Sequence, residues 1–350
     1  MATPSISNRS MSEAMRLSIA QQTRSLNELK SEMTTGRVFD PGLSLGHQAG
    51  ESVSLRHATS MLEGQQTTTR LATSRIALAQ VGLKTVLDGA REFQSALLAL
   101  RGGGGGRAEL AGEAKIRLDD LVARLNQTFD GDYLFAGIDT GTAPMAAYHG
   151  TPVPAPQQAV LNAFGTAFPG GPGGAAAQAA DGATMTAFID GAYTSLFDDA
   201  GWKANWSSAS DTAPIVRVTQ DLSVATSVSA NSQAVRDLVA AYAMVATFDL
   251  GFLSETASGA VLDGAIARLG AGIAGVTAHV ADLGRSEAMA KAAGKETDLR
   301  LAITEQRIAD LEGVDEFETA ARLNTVQTQL EAAYQITARL RSLSLLAFLR

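Results

Sequence analysis

The stretch LRHATSMLEGQQTTTRLATSRIALAQVGLKTVLDGAREFQSALLAL, residues 55–100, carries a seven-residue hydrophobic repeat along its whole length. Twelve of the fourteen positions that alternate by steps of three and four are apolar, and the phase never slips. Such a repeat is typical of a long helix that packs side by side with another helix. We name these positions the first seam: Leu55, Ala58, Leu62, Gln65, Thr69, Ala72, Ile76, Ala79, Leu83, Val86, Ala90, Phe93, Leu97 and Leu100.

A matching repeat lies near the other end of the chain, between residues 266 and 311. Ten of its fourteen positions are apolar, again without a change of phase. Because the two repeats are equal in length and lie in opposite halves, they predict antiparallel partners in one helical bundle. We name these positions the second seam: Ile266, Leu269, Ile273, Val276, Val280, Leu283, Glu287, Ala290, Gly294, Thr297, Leu301, Thr304, Ile308 and Leu311.

Both ends of the chain continue the helical pattern. Apolar residues between 15 and 33 step by four and three, and Gly36 is well placed to cap that helix. The last eleven residues carry six large apolar side chains, spread around the helix rather than along one stripe. A helix that is apolar all round must be enclosed on every side, so we predict that the terminal helices assemble with other molecules. The predicted assembly interface comprises Met15, Ile19, Leu26, Leu29, Met33, Leu330, Tyr334, Leu340, Leu343, Leu346 and Leu349.

The segments between these helices differ in composition. GRVFDPGLSLGHQAG at 36–50 predicts a loop, and RGGGGGR at 101–107 predicts a turn before a short amphipathic helix at 110–125. GDYLFAGIDTGTAPM, residues 131–145, predicts a β-hairpin, because β-favouring residues are interrupted by Gly and by Asp-Thr-Gly. PIVRVTQDLSV at 214–224 predicts the clearest strand of an otherwise irregular region. Aromatic residues make up only 5% of the chain, so we expect a core of aliphatic side chains and Met.

Together these features predict a mainly α protein. Its core is an elongated antiparallel helical bundle or coiled coil, formed by the N- and C-terminal segments, with a small irregular β-containing insert. The predicted division has three parts. Residues 1–40 and 314–350 are the terminal assembly helices, 41–140 and 231–313 form the long bundle with its β-hairpin, and 141–230 form the insert.

Composition argues against several classes of function. The net charge is −8 and only 18% of residues are charged, whereas nucleic-acid binding requires clustered Lys and Arg. The chain contains no Cys, which excludes disulfides, thiolate catalysis and sulfur ligands for metals. No run of about eighteen apolar residues predicts a membrane span. The first residues also lack the apolar run of a cleavable secretory signal peptide.

No set of residues predicts catalysis, a metal site or a cofactor. The four His residues are scattered without ligand spacing, and no nucleophile has a base beside it in a recognisable motif. The glycine run lacks the Lys-Ser/Thr ending of a phosphate loop. A small carbohydrate site is one interpretation of the acidic and aromatic residues near 200, although a solvated loop held by two aromatic side chains is favoured. These residues are Asp198, Asp199, Trp202, Trp206 and Asp211.

Three segments of the chain resemble the bacterial flagellin superfamily. LKSEMTTGRVFDPGLSLGHQAGESVSLRHATSMLEGQQ, residues 29–66, is similar to the family's first helix-to-loop segment. The YLFAG stretch at 133–137 resembles a hairpin of hook-associated protein 3, the hook–filament junction group within the superfamily. Residues 317–350, FETAARLNTVQTQLEAAYQITARLRSLSLLAFLR, resemble the final helix of the same group. The resemblance covers roughly 1–140 and 231–350 and does not reach the insert.

The resemblance implies a structural subunit of the bacterial flagellum that is not an enzyme and needs no cofactor. Its terminal helices would pack as a coiled-coil layer among copies in a ring, and the insert would face outward. The implied partners are flagellin, the first hook-associated protein, an export chaperone and the type III export apparatus, without nucleic acid or membrane. The implied location is extracellular, at the hook–filament junction.

Two alternatives remain open from the sequence. The first is a filament flagellin of the same superfamily, although the short loop GRVFDPG and the YLFAG hairpin favour the junction group. The second is a soluble coiled-coil scaffold or sensor, in which residues 140–230 would form a ligand module.

Overall fold

The computed structural model describes residues 4–102 and 106–348, with side chains described for 10–102 and 106–339. These residues form two compact units. We name residues 1–64 with 297–350 the terminal unit and residues 65–296 the central unit. The elements are α1 (Pro4–Thr35), α2 (Pro41–Leu45), α3 (Ala49–Arg101), α4 (Arg107–Leu125), β1 (Thr128–Phe129), β2 (Asp132–Tyr133), α5 (Ala155–Ala167), α6 (Ala175–Ala179), α7 (Gly182–Phe188), α8 (Asp199–Asn205), β3 (Ile215–Arg217), β4 (Ser223–Ala225), α9 (Gln233–Thr247), α10 (Glu255–Glu312) and α11 (Glu316–Phe348).

Both seams lie on the long helices that the repeats predict, and in the central unit they face each other. From position 69 onward every first-seam position of this unit is buried, and every second-seam position is buried or partly buried. Gln80 Nε2 donates to Glu287 Oε2 at 2.8 Å, and the Arg101 guanidinium donates two hydrogen bonds to the Asp263 carboxylate. The partner of the later residue of α3, Arg101, is the earlier residue of α10, Asp263, so the two helices run in opposite directions. The predicted antiparallel pairing is confirmed. The three-part domain division by sequence stays a prediction.

Two shorter helices complete the core of the central unit. Helix α4 buries all the apolar positions that its spacing indicated, namely Leu110, Ala114, Leu118, Leu121 and Leu125. Helix α9 packs against α4, and eleven of its fifteen residues are buried. Its nearly continuous burial explains why the sequence shows no clear helical stripe there, since periodicity marks only half-exposed helices.

Helices α9 and α10 approach each other closely at Gly275. A Cβ atom placed on Gly275 would lie only 2.6 Å from the Ala234 Cβ. Because the Ala234 Cβ is bonded directly to the backbone, it cannot move aside by a change of rotamer. By contrast, no atom lies within 4 Å of a Cβ placed on Gly284, nine residues further along α10. The two glycines therefore sit in one helix but in opposite packing environments.

We expect Gly275→Ala to lower the free energy of unfolding by about 1–2 kcal/mol. Overpacking a close helix contact costs about 1–3 kcal/mol, and the better helix propensity of Ala returns about 1 kcal/mol or less. The control Gly284→Ala gains the propensity without the clash and should be stabilising by about 0.5–1 kcal/mol. Urea unfolding followed by circular dichroism measures both. Destabilisation of equal size in the two variants would contradict the packing argument.

The first hairpin lies earlier than the sequence predicted. Strands β1 and β2 pair antiparallel around the turn Asp130-Gly131, whose φ angles are +54° and +89°. Positive φ at both central residues is typical of a type I′ turn, for which Asp-Gly is a preferred pair. The prediction of a hairpin over 131–145 is therefore wrong in register, because it began at the second half of this turn.

The residues after β2 anchor the chain instead of forming a second strand. Leu134 and Phe135 are buried, and the Ala230 backbone N–H donates to the Phe135 carbonyl oxygen at 2.8 Å. The Ser227 hydroxyl donates to the Leu134 carbonyl oxygen. These hydrogen bonds hold the chain that enters the insert, at Leu134 and Phe135, beside the chain that leaves it, at Ser227 and Ala230.

The insert contains more helix and more aromatic packing than the sequence predicted. It includes α5 to α8, and the single strand expected at 214–224 is a hairpin in which β3 pairs with β4. The expectation of a mainly aliphatic core is wrong for this region. An aromatic cluster fills it, with ring centroids of neighbouring pairs 4.7–6.4 Å apart: Phe164, Phe168, Phe188, Tyr193, Phe197, Trp202, Trp206 and Phe248.

One helix of the described residues, α10, is long and apolar enough in one window to cross a membrane by composition alone. Its seam residues Val276, Leu283 and Ala290 are buried within the central unit. A core helix of a soluble bundle has the same composition, so we interpret α10 as a core helix.

Candidate assembly interface

In the terminal unit, α1 packs against α11. Capping hydrogen bonds fix the residue at which α1 ends and the residue at which α11 begins. Helix α1 is followed, as predicted, by Gly36, which has a φ of +67° and donates its N–H to the Glu32 carbonyl oxygen at 2.8 Å. Helix α11 begins after Asp315, whose carboxylate accepts from the backbone N–H groups of Phe317 and Glu318 at 2.8 and 3.1 Å. A side-chain acceptor of this kind stabilises a helix start by about 1 kcal/mol.

The segment 36–50 is not a simple loop, in contrast to the prediction. It contains α2 and a 3₁₀ turn at Gly46–Gln48 before α3 begins. Asp40 Oδ1 accepts the N–H of Leu43 at 3.1 Å, and Pro41 occupies the first helical position. Asp-Pro therefore starts a helical turn here, since the proline ring suits the first position of a helix.

Short backbone pairing ties the end of α1 to the start of α11. Val38 N–H donates to the Glu312 carbonyl oxygen at 2.8 Å, and Val314 N–H donates to the Gly36 carbonyl oxygen at 3.1 Å. Arg37 and Gly313 face each other between these bonds as an antiparallel bridge. The link from α1 to α2 and the link from α10 to α11 are thus held as one joint.

A fully buried carboxylate lies beneath this joint. Glu312 Oε1 accepts from the Ser52 hydroxyl at 2.5 Å and from Arg56 Nε at 2.9 Å, and its Oε2 accepts from Arg56 Nη2 at 2.6 Å. Arg37 Nη1 lies 3.8 Å from the same Oε2. The hydrogen bonds from Arg56 hold the pKa of the Glu312 carboxyl below its usual value, so it is ionised at neutral pH. We name Arg37, Ser52, Arg56 and Glu312 the polar clamp.

The residues predicted from sequence as the assembly interface are only partly enclosed by this chain. Met15, Ile19, Leu26, Leu29 and Leu330 are half-buried, whereas Met33 and Tyr334 are exposed. The side chains of Leu340, Leu343 and Leu346, and the whole of Leu349, lie outside the described residues. Their role in assembly stays a prediction.

The terminal unit has almost no apolar core of its own. Among its described side chains, Ile308 and Ala333 are the only buried hydrophobic ones. Exposed apolar side chains are typical of protein–protein interfaces where they form a contiguous patch, so the assembly role of this unit stays a prediction. The exposed large side chains of this unit are Met11, Leu17, Met33, Phe39, Leu43, Val53, Met61, Leu299, Ile303, Phe317, Tyr334 and Ile336.

The two tryptophans considered for a carbohydrate site do not form an exposed platform. Trp202 and Trp206 are fully buried and stack on each other with ring centroids 5.6 Å apart. Both belong to the aromatic cluster of the insert. As the favoured interpretation expected, the two rings hold this segment to the core while Asp199 and Asp211 stay exposed, although residues 199–205 form α8 rather than a loop. The buried rings offer no surface on which a sugar could stack.

Comparison with known proteins identifies both ends of the chain. Residues 6–140 match the bacterial flagellin N-terminal helical region, and residues 266–349 match the bacterial flagellin C-terminal helical region. Together the two regions cover more than half of the chain. No curated protein sequence matches the chain.

A solved structure shares the fold. The structure of a protein assigned as a flagellar hook-associated protein from Vibrio parahaemolyticus superposes with a TM-score of 0.52 at 11% sequence identity. The match covers 76% of this chain and 97% of that chain. At this identity the likeness is evidence for the fold alone.

Proposed function

We propose that this chain joins the hook to the filament of the bacterial flagellum. It belongs to the bacterial flagellin superfamily and is a structural subunit of the flagellum. Members of this family are structural proteins that self-assemble in the axial part of the flagellum, outside the cell. The observation that carries an assembly role is the terminal unit, which exposes large apolar side chains and buries almost none among its described residues.

The assembly mechanism that we propose is burial of this surface between subunits. Exposed side chains such as Phe317 and Leu43 lie next to the joint, which the polar clamp and backbone pairing hold in one conformation. A preordered joint lowers the conformational entropy lost on association. Each large apolar side chain that becomes fully buried contributes about 1.5–3 kcal/mol. Copies of the chain would therefore associate through α1, α11 and the adjoining ends of α3 and α10.

The junction role, rather than the filament role, is supported by the sequence. The segment GRVFDPG between α1 and α3 is short, and the YLFAG stretch and the final helix resemble hook-associated protein 3. For this role the subunit would contact the first hook-associated protein on one side and flagellin on the other. An export chaperone on the C-terminal helix and the type III export apparatus are the proposed partners before assembly.

Immunogold labelling of isolated flagella distinguishes the junction role from the filament role. We expect an antibody against the insert, residues 141–230, to mark one narrow band next to the hook. An antibody against the filament flagellin of the same cells should mark the whole filament and serves as the positional control. Label along the full filament would assign the chain as a flagellin and would overturn the junction proposal.

A further inference from the structure

The outer face of α3 in the terminal unit carries a stripe of exposed side chains. Val53 and Met61 are each more than half exposed, and His57, which is also exposed, lies between them. The three residues step by four, so each is a surface neighbour of the next along about 12 Å of helix. We name Val53, His57 and Met61 the α3 stripe. The other positions on this face carry no Asp, Glu, Lys or Arg, and they are Gly50, Ser60 and Gly64.

The outer face of α10 in the same unit carries a second stripe. Leu299 and Ile303 are each more than half exposed and are surface neighbours at a spacing of four. Ala302 and Gln306 are exposed on the same face, and both are uncharged. We name these four residues the α10 stripe. The two stripes are therefore alike in chemistry, since each combines large apolar side chains with uncharged neighbours.

Within one chain the two stripes point away from each other. Helices α3 and α10 pair along their seams in this unit, where Arg307 Nη2 lies 3.1 Å from Glu51 Oε1 and Arg56 Nη2 lies 2.6 Å from Glu312 Oε2. At about 3.6 residues per turn, each stripe lies roughly 130° or more around its own helix from the seam. The stripes thus lie on opposite sides of the helix pair, and a single chain cannot bring them together.

We propose that the α3 stripe of one copy packs against the α10 stripe of the next copy. A second copy is the occupant because proteins of this superfamily self-assemble, and because two uncharged faces can be covered together without burial of an unpaired charge. Two different faces meet at every such contact, so the contact is heterologous and all copies keep one orientation. Its repetition gives a ring or a helical array. This inference rests on the proposed assembly role of the chain and names the faces that carry it.

The pairing within one chain also indicates which residues meet between copies. The two helices run in opposite directions, and Ser52 of α3 lies beside Glu312 of α10. Nine residues further along α3 is Met61, and nine residues back along α10 is Ile303. Met61 is therefore level with the part of α10 around Ile303. Copies of one ring lie at equal height, so Met61 of one copy should lie beside Ile303 of the next.

Single cysteines report this contact directly, because the chain contains no Cys of its own. Flagella are isolated from cells that produce Met61→Cys and Ile303→Cys chains with different tags, and the thiols are oxidised with copper phenanthroline. A disulfide requires Cα atoms within about 7 Å of each other. We expect covalent dimers that contain one chain of each variant, and at least tenfold fewer dimers of two identical chains.

Glu305→Cys is the matched control for Ile303→Cys. Glu305 is exposed on the same helix, only two residues away, but it points to a side roughly 160° from Ile303. Together with Met61→Cys it should give at least tenfold less mixed dimer. Equal yields from Glu305→Cys and Ile303→Cys would show that the α10 stripe does not face the neighbouring copy.

A charge exchange tests the heterologous arrangement independently. Met61→Glu and Ile303→Lys should each weaken association of the purified full-length chain at least tenfold, because each places a charge in an uncharged contact. The double variant Met61→Glu/Ile303→Lys should recover association to within about threefold of the unmodified chain, since every contact then pairs Glu with Lys. Sedimentation measures association, and circular dichroism checks that each variant is folded. If like faces met instead, the double variant would stay as impaired as the single ones.

The outcomes separate this inference from the junction proposal. Mixed dimers no more abundant than dimers of identical chains, or a double variant without recovery, would overturn the inference. Immunogold label in one band at the hook would in that case leave the junction proposal standing. Mixed dimers together with label along the whole filament would support the inference and overturn the junction proposal. A chain that is absent from flagella and monomeric in solution would overturn both.

Discussion

Replacing Phe317 and Leu43 by serine is expected to abolish self-assembly while leaving the subunit folded. These two side chains are 90% and 86% exposed, the highest values among the large hydrophobic residues that the structure describes. Exposed positions tolerate substitution with changes of about 0.5 kcal/mol or less in the free energy of unfolding. The same exposure makes both side chains available for burial against another subunit.

The expected size of the effect follows from the apolar surface that assembly would bury. If each side chain is fully covered in the assembled state, its loss costs about 1.5–3 kcal/mol, or about 3–6 kcal/mol for the pair. Every 1.4 kcal/mol is a factor of ten, so subunit association should weaken by about 10²- to 10⁴-fold. Sedimentation of the purified subunit over a concentration series measures this, and in cells the variant should leave hooks without filaments.

Phe252→Ser is the matched control for this experiment. Phe252 is the same residue type and is 53% exposed, but it lies in the central unit, in the turn between α9 and α10. It should assemble normally. Unimpaired assembly of the Phe317→Ser/Leu43→Ser variant, or an equal defect in Phe252→Ser, would show that the exposed surface of the terminal unit is not the interface.

The long helices were predictable because their signal is repeated many times. Fourteen seam positions per helix fix the face that is buried, so a single polar residue at a seam position, such as Gln65 or Thr69, does not obscure the repeat. Short elements carry no such redundancy. The register of the first hairpin depends on the two turn residues, Asp130 and Gly131. The predicted hairpin began at Gly131, so it left out Asp130 and the strand that precedes the turn.

The insert was less predictable for a different physical reason. Its helices α5 to α8 are short, and their burial depends on aromatic side chains that come together only in three dimensions. Phe164 and Phe248 are separated by more than 80 residues, yet their ring centroids lie 4.7 Å apart. A low overall aromatic content therefore says little about where the few aromatic residues gather.

The polar clamp had no local signal in the sequence. Glu312 directly follows the last second-seam position, and by its spacing it resembles any solvated residue at the end of a helix. Its hydrogen-bond donors Ser52 and Arg56 are 260 and 256 residues away. By contrast, the apolar terminal helices were recognised, because six large side chains in eleven residues form a compositional signal that needs no tertiary information.

The clamp yields the second large effect, which we expect from Glu312→Gln. Glutamine keeps the size of the side chain but lacks the negative charge of the carboxylate, whose two oxygens accept the Arg56 hydrogen bonds. The amide nitrogen that replaces one of these oxygens cannot accept a hydrogen bond. Hydrogen bonds to charged groups contribute about 1.5–3 kcal/mol. The joint should therefore open about 10- to 100-fold more often, and assembly should weaken because the terminal helices are no longer preordered.

Hydrogen exchange at Val38 and Val314 measures this opening, because both backbone N–H groups are bonded across the joint. At pH 7 both amides should exchange about 10- to 100-fold faster in Glu312→Gln. Glu318→Gln is the control, since among the described residues the Glu318 side chain makes only an exposed ion pair with Arg322. Amide exchange in this variant should match that of the unmodified chain. Equal exchange in Glu312→Gln and the unmodified chain would show that the backbone pairing alone holds the joint.

The pH dependence gives an independent check with a definite sign. The pKa of Glu312 is lowered in the folded chain from an ordinary value of 4.5, so its stabilising effect is complete above that value and is lost as pH falls through the folded pKa. Arg56 keeps its charge throughout this range, because its hydrogen bond to Glu312 raises the pKa of the guanidinium. The difference in thermal stability between the unmodified chain and Glu312→Gln should therefore be constant from pH 6 to 8 and shrink steadily below about pH 4.5. A difference that stays constant into strong acid would mean that the charge of this carboxylate does not stabilise the joint.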